Sequence, residues 1–165
     1  MSKADKLHYV VATCIVINDE RKFLIAKRSA REKAFPNKWT VPGGKLEPRD
    51  YMSRPKDTAN CWYQVVEKLL KREVREETNL EITNVRYATS LTFIRPDGVP
   101  VVVLSFFADH AGGDVRLSPD LTDYAWVTVE EAKRYELIDG IHEELEIVDK
   151  YLKTGKVLEF TQFLK

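Results

Sequence analysis

Arg72-Glu73-Val74-Arg75-Glu76-Glu77-Thr78-Asn79-Leu80 places three glutamates where apolar residues belong. With Glu73 at zero and about 100° per residue, Trp62, Val65, Val66, Leu69 and Leu70 fall between about −80° and +60°, a core-facing stripe. Glu76 lands at roughly −60° and Glu77 at roughly +40°, inside that stripe, and Leu80 rejoins it at roughly −20°. Lys68, Lys71 and Arg75 point away. Carboxylates crowded on an inward face repel one another and lose water, and each is costly to bury unpaired. A hard divalent cation with oxygen ligands is the simplest offset, so the stripe predicts a metal site built on a helix. The bland alternative is a solvated helix with Glu–Arg pairs one turn apart. The stripe geometry and an upstream Gly43-Gly44 pair favour the metal site.

Outward from this segment, the helix is predicted to run for roughly 20 residues from near Thr58, with Asp57 or Thr58 as N-cap. Asn79 can adopt the left-handed conformation that closes it. Upstream, His8 to Ile17 reads as a buried strand, and Lys22 to Lys27 returns after the turn Asn18-Asp19-Glu20-Arg21. Residues 29–38 form a loop, Trp39 to Val41 a short strand, and 45–57 an irregular loop with Pro48 and Pro55. Downstream, Glu81 to Ile94 and Val99 to His110 are antiparallel strands joined by Arg95-Pro96-Asp97-Gly98. Asp123 to Val127 is a further strand, Val129 to Tyr135 a short helix, and Ile141 to Leu152 an amphipathic helix. Val157 to Phe163 adds a strand or packs loosely. Strands and helices mix without regular alternation, so the class is α+β, a mixed β-sheet covered by helices.

The chain has 165 residues, 44% of them hydrophobic, enough for one domain spanning 1–165 with a real core. Its 26 basic and 26 acidic residues cancel, so no net field draws it to a nucleic acid polymer or a membrane surface. Cys14 and Cys61 lack metal-ligand spacing, and the N-terminus has no signal-peptide core; a reduced, cytoplasmic setting is expected. His8, His110 and His142 are scattered and are assigned no function.

The stretch Gly43-Gly44-Lys45-Leu46-Glu47, followed by Arg72 to Leu80, resembles the Nudix box: G, five residues, E, seven residues, then R-E-U-x-E-E-x-G-U, with U a bulky aliphatic. Arg72, Glu73, Val74, Glu76, Glu77 and Leu80 match the second half. Asn37 to Pro42 is similar to the stretch before the box in MutT-like members, and Tyr124-Ala125-Trp126-Val127 with Glu130-Glu131 extends the likeness. Three positions depart from the pattern. Asp50 stands where the first Glu falls after Gly44, and Asn79 replaces the closing Gly. Between Asp50 and Arg72 lie 21 residues where the pattern has seven, an insertion near 51–64. Asp50, Glu47 and Asp57 are all candidates for the first-Glu place.

The resemblance implies an αβα sandwich that hydrolyses a nucleoside diphosphate linked to another group, using Mg²⁺, with Mn²⁺ as the alternative. It implies Glu73, Glu76 and Glu77 as metal ligands, beside a backbone carbonyl of Gly43 or Gly44. Arg72 would orient the glutamates, reaching Glu76 one turn on. Arg28 resembles a phosphate-contacting arginine of MutT-like members, and Gly44 and Trp39 are further expected substrate contacts. Trp39, Phe35 and Phe93 are base-stacking candidates by residue type, set against the core positions that aromatics beside strands more often take. Glu77 or Glu73 is the expected general base, and an acid from Asp120 to Asp123 completes the site. A MutT-like nucleoside triphosphate pyrophosphohydrolase is favoured over a nucleotide-sugar or dinucleotide pyrophosphatase. Outside that class stand a nucleotide-sensing module, which usually loses box glutamates, and an isomerase, which needs a suitably placed Cys. The partner is a small nucleotide-type molecule, and the chain is a monomer or homodimer.

Overall fold

Tyr9–Ile17, strand β1, sits at the centre and feeds two cores, because successive side chains point to opposite faces. Ile15 and Ile17 enter one cluster and Ala12, Cys14 and Val16 the other. The structure is a computed structural model and describes residue 2 and residues 4–156. After β1 come β2 (Phe23–Arg28), β3 (Trp39–Thr40), β4 (Gly43–Lys45), α1 (Arg49–Met52) and α2 (Val65–Thr78). The chain continues through β5 (Glu81–Ile94), β6 (Pro100–Gly112), β7 (Leu121–Val127), α3 (Val129–Ala132) and α4 (Ile141–Thr154).

The strands form one mixed sheet in the order β3-β2-β1-β6-β5, with β4 beside β1 and β7 beside β2. β1 runs parallel to β6 and antiparallel to β2 and β4. On one face Ile141, Leu145 and Val148 of α4 and Ala132 of α3 pack against Ile15, Ile25 and Phe107. On the other, Leu69, Leu70 and Val74 of α2 pack against Cys14, Val16 and Leu24. A sheet buried on both faces between helices is the expected α+β class with αβα layering.

The hairpin turn forms as expected: Gly98 takes φ 82° and donates its N–H to the Arg95 carbonyl at 2.8 Å. Asn79 closes α2 at φ 63°, its N–H reaching the Arg75 carbonyl at 2.8 Å. The start of α2 differs. The helix begins at Val65, and Gln64 precedes it in a left-handed conformation with no side-chain cap. The capping groups serve a loop instead: Asp57 accepts the Tyr63 N–H at 2.9 Å and Thr58 Oγ1 the Cys61 N–H at 3.2 Å. Local side-chain bonds of this kind compete with helix formation. Arg49–Met52, expected as loop, makes one helical turn, and the helix expected over Val129 to Tyr135 ends at Ala132. The tail expected at Val157 to Phe163 lies outside the described residues.

Candidate active site

β1 and β2 pair only at Ile17 and Phe23 and then diverge, and β4 takes the vacated edge of β1 with Gly43 opposite Thr13 and Gly44 opposite Ala12. The approach is too close for a side chain: a Cβ on Gly43 would lie 2.3 Å from the Ala12 carbonyl oxygen. On Gly44 it would lie 2.4 Å from the carboxyl carbon of Glu73. The two glycines therefore let the C-terminal half of α2 settle its carboxylates directly on the β4 backbone.

Glu77 accepts the Gly43 N–H at 3.1 Å. Burial pushes its carboxyl up to about 7; the Gly43 bond opposes this, Glu73 adds to it, Arg28 opposes it, and Asp120 adds to it. Glu73 is also raised, first by burial, against the pull of Arg72. Its side chain is 16% exposed, whereas that of Glu76 is 57% exposed. The buried face of α2 is rotated from the stripe expected from the sequence. Leu69, Leu70, Val74 and Thr78 are the buried residues of α2, and they centre roughly 65° from Glu73. Trp62, which drew the stripe toward Glu73, is not in the helix. The carboxylates occupy the edge of the buried face, Glu76 outermost.

Arg72 joins the group. One guanidinium nitrogen lies 2.9 Å from Asp50 and 2.8 Å from Glu73, and another lies 2.8 Å from Glu76. Of the three candidates for the first-Glu place, Asp50 is the one that reaches Arg72. Its side chain is only 7% exposed and also accepts the Glu47 N–H at 2.7 Å. Glu47 pairs with Arg49 and Asp57 with Arg54.

The donor set suits a hard cation: carboxylate oxygens, two of their carboxyls raised by burial, with acids as mutual neighbours. Among the described residues no three such side chains converge on one point, and Arg72 pairs with both Glu73 and Glu76. Toward the glutamates Gly43 turns its N–H, which Glu77 accepts.

Arg28 lies close enough to Glu77 to lower its carboxyl, with its own Nε donating to the Ala34 carbonyl at 2.9 Å and its guanidinium paired to Glu32. Asp120 lies close enough to Glu77 to raise its carboxyl. The loop before it is fastened to the helix end by Arg116 N–H to the Thr78 carbonyl and Ser118 N–H to the Glu77 carbonyl, both 2.9 Å. Trp39 is a correction: its ring is buried in the α4-side core, edge-on to Tyr135, and offers no face to a substrate. Phe35 and Phe93 remain exposed, edge to face at 6.5 Å. Cys14 is buried, its thiol pushed up to about 12 by burial, and Cys61 is exposed; both are free. Sequence reasoning missed Glu32 and the buried Glu144 of α4, which accepts the Ser105 hydroxyl at 2.6 Å. Its signal was legible, since Glu144 falls one turn after Ile141 on the apolar side of that helix.

Comparison with known proteins agrees with this geometry. The model of the NUDIX domain matches residues 7–150. Nucleoside triphosphatase NudI of Klebsiella pneumoniae (strain 342) is 30% identical over 135 residues, 75% of this chain and 85% of that protein. The MutT protein from Methanosarcina mazei Go1 superposes with a TM-score of 0.71 at 24% identity, covering 91% of this chain and 99% of that one. The NUDIX domain of Shewanella oneidensis NrtR, solved in complex with ADP ribose, superposes at 0.66 with 14% identity, over 92% and 99% of the two chains. With its glutamate-bearing helix seated on a Gly-Gly strand, this chain belongs to the Nudix hydrolase family.

Proposed function

We propose that this chain is a Mg²⁺-dependent nucleoside triphosphate pyrophosphohydrolase, cleaving its substrate to a nucleoside monophosphate and pyrophosphate, in a single domain and a reducing cytoplasm. The observation that carries the reading is Glu77, anchored on the Gly43 N–H with its carboxyl raised to about 7 beside Glu73, Asp120 and Arg28. The NudI relatives, named as nucleoside triphosphatases, favour this substrate class.

Glu73, Glu76 and Glu77 would hold Mg²⁺ or Mn²⁺, which when bound offsets phosphate charge and acidifies a water. The chain's own groups do the rest. Glu77 or Glu73 takes the proton of the attacking water. Arg72 keeps Glu73 and Glu76 oriented through its paired bonds. Arg28, poised between Glu32 and Glu77, presents a guanidinium to the phosphates. Exposed Phe35 and Phe93 offer ring surface to a base.

The test is phosphate release from a substrate panel in Mg²⁺ and in EDTA, through a pyrophosphatase couple for the nucleoside triphosphates and a phosphatase couple for the phosphomonoester products of the other substrates. The panel spans ordinary and oxidised nucleoside triphosphates, nucleotide sugars, ADP-ribose and dinucleoside polyphosphates. Metal-dependent release of pyrophosphate from a nucleoside triphosphate is the expected result. Preferential cleavage of a nucleotide sugar or dinucleotide would replace the substrate class, and tight binding without turnover would replace the enzyme with a nucleotide-binding module.

A further inference from the structure

The insertion between Asp50 and α2 is internally bonded. The Arg54 guanidinium contacts Asp57 at 3.2 Å and donates to the Tyr63 carbonyl at 2.9 Å. Trp62 Nε1 donates to the Arg54 carbonyl at 3.0 Å, and the Trp62 ring lies against Tyr51 with centroids 5.2 Å apart. The Lys56 ammonium sits 5.3 Å from the same Trp62 ring. These bonds close the loop onto α1.

α1 needs that support. It is four residues long with no side-chain cap, and a single helical turn is unstable by itself. Consecutive helical residues diverge by about 100°, so Tyr51 and Asp50 serve different neighbours. Tyr51 meets Trp62 in the loop, while Asp50 meets Arg72 at 2.9 Å. Arg72 in turn holds Glu73 and Glu76. An unbroken path of contacts thus links the insertion to two of the glutamates.

We propose that the inserted loop is a latch: Trp62, acting through Tyr51, Asp50 and Arg72, is a positioning residue that sets where Glu73 and Glu76 stand for hydrolysis. The proposal rests on the hydrolase reading above for its kinetic arm, but not for its structural arm. Trp62 touches no reacting group. Its effect is on geometry, where displacement of about 1 Å is felt strongly in the rate.

The experiment compares the full-length chain with W62A, W62F, D50N and the W62A/D50N double variant. Turnover of the best nucleotide substrate is recorded with Mg²⁺. The Arg72 guanidinium N–H signals are followed by NMR without nucleotide, and thermal unfolding is recorded for each variant. W62A is expected to lower kcat by about tenfold or more with KM changed less than about threefold, because positioning acts in the transition state. In the D50N background it is expected to add nothing, since both act along one path. The Arg72 signals should broaden in W62A and partly recover in W62F, which keeps the ring and loses the donor. If W62A does not fold, the W62F comparison decides by the same criteria. Additive losses in the double variant, or unchanged Arg72 signals, overturn the latch. Absence of turnover in the unaltered chain overturns the hydrolase reading instead, and the Arg72 signals then still decide the latch.

Discussion

Glu77 and Glu144 are two carboxyl groups that burial pushes to about 7, yet they stand in opposite surroundings. Glu77 lies at the edge of α2 among Glu73, Asp120 and Arg28, with one backbone N–H as its partner. Glu144 is sealed under α4, 4% exposed, with the Ser105 hydroxyl as its partner and Glu143 as its charged neighbour. Burial alone therefore does not mark a working group. A buried acid among other acids, open to a ligand, invites a cation; a buried acid closed off with a hydroxyl is stable as the neutral form. The contrast supports the proposed chemistry at Glu77, whereas Glu144 has the surroundings of a packed core group.

Conservative amide substitution tests that division most severely. Glu77→Gln keeps the Gly43 bond but removes a charge and a basic oxygen, so kcat should fall by about 10² to 10⁴. The same change relieves repulsion among Glu77, Glu73 and Asp120 and leaves thermal stability at pH 8 equal or higher. Glu144→Gln should leave kcat within about threefold, as expected for a residue away from the reacting atoms. Steady-state kinetics on both variants reads the contrast directly; equal losses would collapse it.

Titration offers the next test. Both groups have folded values raised above the ordinary 4.5. The folded state therefore holds more protons than the unfolded state across pH 4.5 to 7. This contribution to stability is fully present below pH 4.5 and is lost as pH rises through 7, by at most about 3 kcal/mol per group. Urea unfolding from pH 4 to 8 should show the decline, and Glu144→Gln should remove its share of the slope. Mg²⁺ separates the two: it should flatten the share of Glu77 by favouring its ionised form, and leave that of Glu144 intact. A slope indifferent to Mg²⁺ would place Glu77 away from the cation.

The same physics explains what could be read from the chain. The hairpin, the closing Asn79 and the Arg72–Glu76 pair follow from local rules, since turn chemistry and one-turn spacing involve near neighbours. The start of α2 does not. Asp57 and Thr58 have the composition of an N-cap, but their side chains close the inserted loop. Trp62 falls on the helical stripe by coincidence of spacing and packs at a tilt against Tyr51 instead. That Asp50, and not Glu47 or Asp57, meets Arg72 depends on a contact across 22 positions, which no local pattern carries. Trp39 misleads for a related reason: an aromatic beside a site motif is placed by the sheet face it occupies, here the α4 core. Asp120 is brought beside Glu77 by backbone bonds distant in sequence, from the 116–118 segment to the end of α2 and from the Ser29 N–H to the Asp120 carbonyl.

The smallest effect should come from the partner of Glu144. Ser105→Ala deletes a hydroxyl that donates to this carboxyl at 2.6 Å and lowers its titration. Without it the Glu144 carboxyl rises further, so ionisation in the variant costs more. Near pH 5, where Glu144 is neutral in both proteins, the loss should be about 1 kcal/mol or less, the net worth of a neutral hydrogen bond. Near pH 8, where the unaltered protein carries the charge and relies on Ser105, the loss should approach about 2 kcal/mol. Urea unfolding at the two pH values measures the difference, and kcat serves as the control, since it should not change. An equal loss at both would mean that Glu144 keeps one protonation state throughout. A fall in kcat would mean that the α4 face reaches the reacting groups after all, and Glu144 would then belong with Glu77.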